Sequence, residues 1–151
     1  TLMELVEKDD RIVFIVPDVG FSYIEVFKEK FPNRFFNFGV TEASTIMIAT
    51  ALALDGWKPY VYSMINFVLF RPAEMVRNGI ICHKAPVTLL GVKGSSSYKF
   101  LGFSHNLLHE TEDFDFCKNI GLKSYYPQSN EQVKSFVKVA YKANEPSYIR
   151  L

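Results

Sequence analysis

One carboxylate stands out for where it sits. Glu42 is the only charged residue between Arg34 and Asp55, and the stretch from Thr41 to Leu54 around it is dominated by alanine, leucine, isoleucine and methionine. Thr41 is placed to cap a helix and Gly56 to stop it. A helix that is apolar on every side is expected to be buried. An acid in its first turn complements the helix dipole, or it is a desolvated carboxylate that needs a partner and can share a proton with a basic nitrogen.

Three other segments carry chemically useful residues. Pro17-Asp18-Val19-Gly20-Phe21-Ser22 follows an apolar run, and Asp18 is there either as a helix cap or as a ligand contact. Met64, Phe67 and Phe70 recur at intervals of three, an apolar strip that suits either a core or the wall of a slot for a flat ring. Lys93-Gly94-Ser95-Ser96-Ser97, followed by Gly102-Phe103-Ser104-His105, reads either as a solvated loop or as a loop for an anionic ligand. The chain has no GxGxxG, P-loop, HExxH, nucleophile elbow or zinc-ligand spacing. It carries no self-contained catalytic motif.

The elements that must position these residues alternate. Arg11 to Val16 is a continuous apolar, β-branched run, the mark of a strand covered on both faces. Phe21 to Phe31 has helical spacing and is stopped by Pro32. Further strands are predicted at 34–38, 59–63, 86–92 and 148–151, and further helices at 41–54, at 73–83 and after the capping box Ser129-Asn130-Glu131-Gln132. This order predicts a three-layer α/β domain: a mostly parallel sheet of about six strands with helices on both faces. Ligands of such sheets bind beyond the carboxyl ends of the strands, and the segments above fall on those turns.

Composition sets the outer bounds. A chain of 151 residues, 48% hydrophobic, has the size of one domain with a substantial core. With 17 basic and 16 acidic residues and no long charge run, bulk electrostatics favour neither nucleic acid nor a membrane surface. Cys82 and Cys117 form no CxxC pair and suit a reducing cytoplasm, as buried structural thiols. Glu7-Lys8-Asp9-Asp10-Arg11 interrupts the apolar stretch that a signal peptide requires. A beginning at Thr1 and an end at Leu151 within a predicted strand suggest a processed terminus or a fragment.

Taken in order, these segments resemble the pyrimidine-binding domain of the transketolase family of thiamine-diphosphate enzymes, from about Arg11 to Leu151. The most specific stretch is Asn33-Arg34-Phe35-Phe36-Asn37-Phe38-Gly39-Val40-Thr41-Glu42-Ala43, followed by the alanine-rich helix, Gly56, Asn66-Phe67, Gly102-x-Ser104-His105 and Pro127. The resemblance implies the thiamine-diphosphate-binding fold over 1–151 and a catalytic role for Glu42. Its carboxyl group would hydrogen-bond a ring nitrogen of the cofactor's aminopyrimidine and share a proton with it, which activates the thiazolium carbon. Phe67 would stack on the pyrimidine, Met64 and Phe70 would wall the pocket, and Asp18 would reach cofactor across a subunit interface. Ser22, Lys93 and His105 would line the substrate channel.

The family holds the diphosphate and Mg²⁺ on a separate domain with a Gly-Asp-Gly…Asn motif, which this chain lacks. The resemblance therefore implies a partner domain or subunit, in a homodimer or heterotetramer, and a sugar or phosphosugar substrate. Leu101 stands where transketolases place an aspartate that reads a donor hydroxyl, and Lys93 replaces a phosphate-side histidine. The stretch after His105 is about three residues longer than usual, so His109 competes with His105 for the substrate-side role. Two-carbon ketol transfer is the first functional expectation. A 2-oxo acid dehydrogenase β-subunit, a deoxyxylulose-phosphate-synthase-like enzyme and a non-catalytic assembly module of the same fold are the alternatives.

Overall fold

In the computed structural model, residues 1–19, 24–94 and 96–151 are described. The chain runs α1 (Leu2–Val6), β1 (Ile12–Val16), α2 (Ile24–Lys30), β2 (Phe35–Asn37), α3 (Glu42–Leu54) and β3 (Lys58–Met64). A π-helical turn, Asn66–Phe70, leads into α4 (Ala73–Met75), which continues as a second π-helical segment, Val76–Ile81. Then come β4 (Thr88–Val92), a kinked 3₁₀ segment (Ser96–Ser104), α5 (Glu112–Ile120), β5 (Lys123–Tyr125), α6 (Asn130–Ala143) and β6 (Ser147–Arg150).

The six strands form one sheet in the order β2-β1-β3-β4-β6-β5, and every neighbouring pair is parallel. Strand β1 shows why its sequence has no polar alternation. Val13 and Ile15 face one side and pack with Ile46, Ala49 and Ala53 of α3. Ile12, Phe14 and Val16 face the other, against Val6 of α1, Phe27 of α2 and Val137 and Ala140 of α6. Each face is roofed, so both must be apolar.

Close packing reaches the backbone at β4. A Cβ at Gly91 would lie 2.6 Å from a ring carbon of Tyr148 and 3.1 Å from Ile65. Tyr148 is fully buried and hydrogen-bonded to Asp113, so it cannot move aside. Gly91→Ala is expected to destabilise the domain by about 1–3 kcal/mol, read as a lower urea midpoint at unchanged slope.

Several expectations change. Helix α3 is not buried all round. Glu42, Thr45, Ile46, Ala49, Thr50 and Ala53 are buried, but Met47 is 45% exposed, Ile48 38% and Leu54 57%. One sheet can cover one side of a helix, and an apolar residue does not record whether its cover comes from its own chain. Thr41 occupies the cap position without capping; its hydroxyl donates to the Phe38 carbonyl at 2.9 Å. Cys117 is buried, its thiol pushed up to about 12 by burial with Asp113 nearby, but Cys82 is exposed. At α6, Ser129 accepts from the Gln132 amide as a capping box requires, while the Gln132 side chain accepts from Gln128. No helix among the described residues is long and apolar enough to cross a membrane.

Candidate functional site

Because all strands are parallel, the turns after β1, β2, β3 and β4 emerge along one edge of the sheet. The chain leaves β1 toward β2 on one side and returns to β3 on the other, so this edge contains the point where strand order reverses, the usual ligand crevice of such folds.

Asn37, the last residue of β2, ties two of these turns together. Its Oδ1 accepts from the Asp18 amide at 3.2 Å and from the Gly39 amide at 2.9 Å. Asp18 has a positive φ of 52°, a costly conformation for a residue with a side chain, and is exposed. Gly39, at φ 71°, makes the turn that delivers Glu42 to the start of α3. Glu42 is 6% exposed, inside the crevice wall.

Its partner is Arg71. Nη1 of Arg71 donates to Oε1 of Glu42, and the Arg71 guanidinium lies over the Phe67 ring, 4.2 Å from its centroid. The π-helical turn sets this up: the Arg71 amide donates to the Asn66 carbonyl at 2.8 Å, a five-residue step that widens the helix beside Phe67. Phe67 is 9% exposed. The His105 ring meets it edge-on, with centroids 5.0 Å apart. The Ser104 hydroxyl donates to the Leu101 carbonyl at 2.8 Å and lies 2.7 Å from His105 Nδ1. With its one proton given to Leu101, the hydroxyl accepts from Nδ1–H, which leaves Nε2 of His105 as the basic nitrogen.

Lys93 stands apart from this group. It pairs with Glu110, whose carboxyl the Lys93 ammonium holds below the usual glutamate range. Both line a cavity of about 570 Å³ that also admits Lys99, Phe103 and His109. Asn66 donates to the carbonyls of Phe103 and Asn106, and Asn106 to those of Tyr98 and Gly102, which fixes the loop carrying His105 over the π-helical turn. Behind the cavity, Arg150 binds Glu110 and the fully buried Asp113, and stacks on Phe114 at 4.0 Å.

The sequence-predicted residues thus divide. Glu42, Phe67 and His105 converge. Lys93 and His109 line the neighbouring cavity. Met64 ends β3 half-buried, and Phe70 packs edge-on against Phe116 at 5.7 Å. Ser22 lies outside the described residues. Sequence reading passed over Asn37, Asn106 and, above all, Arg71. The last had a signal: it is the only charge between Lys58 and Glu74. Among the described residues no group of His, Cys, Asp or Glu could hold a metal ion. The arrangement offers a flat slot with an aromatic face, a buried carboxylate at one edge, and an exposed rim.

Comparison with known proteins shows which family this fold belongs to. The family profile described as "Transketolase, pyrimidine binding domain" matches residues 1–151. A 6-deoxy-6-sulfo-D-fructose transketolase subunit from Clostridium sp. (strain MSTE9) is 29% identical over 99% of this chain and 46% of its own length. A 1-deoxy-D-xylulose-5-phosphate synthase from Lawsonia intracellularis is 30% identical over 99% of this chain and 23% of its own. The chain therefore spans half or less of the curated relatives it matches. A solved structure described as "Split gene transketolase, inactive beta4 tetramer" superposes with a TM-score of 0.85 at 28% identity, over 99% of this chain and 48% of that one. Pichia stipitis transketolases share the fold at a TM-score of 0.77 and 19% identity. The sheet order, the crevice and the match along its whole length make this chain a member of the transketolase pyrimidine-binding-domain family.

Proposed function

We propose that this chain is the pyrimidine-binding half of a thiamine-diphosphate-dependent two-carbon ketol transferase, completed by a partner domain or subunit that holds the diphosphate and Mg²⁺. The observation that carries this reading is the buried Glu42 carboxylate set at the edge of the Phe67 ring face. The fit of an aminopyrimidine is supported by what fills the slot now: a planar, nitrogen-bearing group that stacks on Phe67 and donates N–H to Glu42.

When bound, the cofactor supplies an acidic thiazolium carbon and an electron sink. This chain's residues do the rest. Phe67 orients the ring by stacking, and Glu42 Oε1 holds a proton at the ring nitrogen, in a setting dry enough to make that bond strong. His105, with Nε2 free, is the substrate-side base. The cavity lined by Lys93, Lys99 and His109 takes the anionic end of a sugar or phosphosugar. The exposed apolar face of α3 and the adjacent Val40 (65% exposed) give the partner its contact surface.

The diphosphate is the larger part of the cofactor's binding determinants, and its metal needs ligands that the described residues do not provide. Titration calorimetry is therefore expected to find no micromolar thiamine-diphosphate binding to the chain alone, and saturable, Mg²⁺-dependent binding once the partner is added. Micromolar binding without a partner defeats the split-site reading.

A second reading, a deoxyxylulose-phosphate-synthase-like enzyme, is favoured by the 30% identity to the Lawsonia intracellularis synthase along almost the whole chain. Ketol transfer to an aldehyde against decarboxylation of a 2-oxo acid, both assayed with the partner present, separates the two.

A further inference from the structure

We infer that Arg71 is a built-in placeholder for the cofactor's pyrimidine: its guanidinium occupies the slot between Phe67 and Glu42 in the free chain and must be displaced before the ring can enter. The inference rests on the functional reading above and goes beyond it, because it makes the empty domain self-occluded.

Both contacts of the slot are taken by one side chain. A guanidinium is flat, delocalised and armed with N–H donors along its edge, so it can stack and hydrogen-bond at once, as an aminopyrimidine does. Arg71 stacks on Phe67 at 4.2 Å and donates to Glu42. Arg71 follows Phe67 by four residues on the widened π-helical turn, so its stem can fold back over the ring without a backbone change.

The placeholder has a physical reason. An unpaired carboxylate at 6% exposure is costly. Arg71 satisfies it. Arg71 is nevertheless 46% exposed, so the same side chain can swing into solvent once a ring nitrogen takes over the carboxylate. Departure of the cation and arrival of the ring are one exchange, in which Glu42 always has a partner.

The test uses the complex of this chain with its partner subunit, titrated with thiamine diphosphate and Mg²⁺ by calorimetry. Arg71→Leu keeps the apolar stem and removes the competitor. Its cofactor Kd is expected to fall by about three- to thirty-fold, the combined effect of an exposed cation–π contact and a half-exposed ion pair. Arg71→Lys, which keeps the charge but loses the plane, should lie between Leu and wild type. Inorganic diphosphate with Mg²⁺, which has no ring, should bind all three complexes equally. An unchanged or weaker cofactor Kd in Arg71→Leu overturns the placeholder. So does a matching shift for inorganic diphosphate, which would put Arg71 at the anionic end of the site. If the wild-type complex and both variants fail to bind thiamine diphosphate at all, the proposed function fails and the placeholder with it.

Discussion

Glu42→Gln is expected to lower turnover of the assembled enzyme by about 10²–10⁴-fold, the range for removing a positioned proton-transfer group, while leaving the domain folded. The substitution is nearly isosteric. Glutamine can accept a hydrogen bond from Arg71, or donate one to an unprotonated ring nitrogen, but its amide cannot supply or share the proton that the ring nitrogen must carry. Stacking on Phe67 is untouched, so cofactor affinity should change far less than turnover. Loss of charge at Glu42 weakens one charge-assisted bond to a half-exposed arginine, a cost of at most about 1.5–3 kcal/mol. That is within the usual stability of about 5–15 kcal/mol for a domain. Steady-state kinetics with the partner present, beside a thermal melt, separates the two effects. Undiminished turnover in a folded Glu42→Gln enzyme would remove Glu42 from the catalytic step.

The residues that were legible in advance share a property: each is explained by its own local neighbourhood. The continuous apolar run at β1, Pro32 after α2, Gly39 before Glu42 and the serine cap of α6 all act within a few residues of themselves. The features that were missed act across the chain. Strand β5, Lys-Ser-Tyr, is short and half-polar because it is an edge with a single neighbour, β6. Helix α5 begins Glu-Asp-Phe-Asp; its three first-turn acids complement the helix dipole, and the buried one, Asp113, is explained only by Tyr148 and Arg150. Arg71 was overlooked because its meaning lies in Glu42, twenty-nine positions earlier. The solvent-facing side of α3 was misjudged for a related reason: hydrophobicity reports that a surface is to be covered, without saying by which chain.

Asp113 illustrates that long-range dependence most sharply, and its removal carries the largest stability effect expected here. Its carboxylate is fully buried and accepts from Tyr148 Oη at 2.7 Å, from Arg150 Nε at 3.0 Å and from Arg150 Nη2. Burial, reinforced by the adjacent carboxylate, pushes the Tyr148 hydroxyl well above its ordinary range, so it serves only as a donor. Asp113→Ala leaves the Arg150 charge, 13% exposed, without its buried counter-ion and Tyr148 Oη without an acceptor. Breaking such a pair from one side costs about 3–5 kcal/mol, enough to lower Tm by roughly 6–20 °C for a chain of this size. The double variant Asp113→Leu/Arg150→Met should be less destabilised than Asp113→Ala alone, because it removes both desolvated charges and fills their volume. A double variant at least as unstable as the single one would mean that the network is held by something other than its charges. The consequence extends to the cavity. Arg150 also binds the Glu110 side chain at 3.0 Å and its carbonyl at 2.7 Å, and Glu110 holds Lys93. Loosening Asp113 therefore frees the cavity wall from below, so an anionic substrate's KM should rise in Asp113→Ala even at temperatures where the domain remains folded.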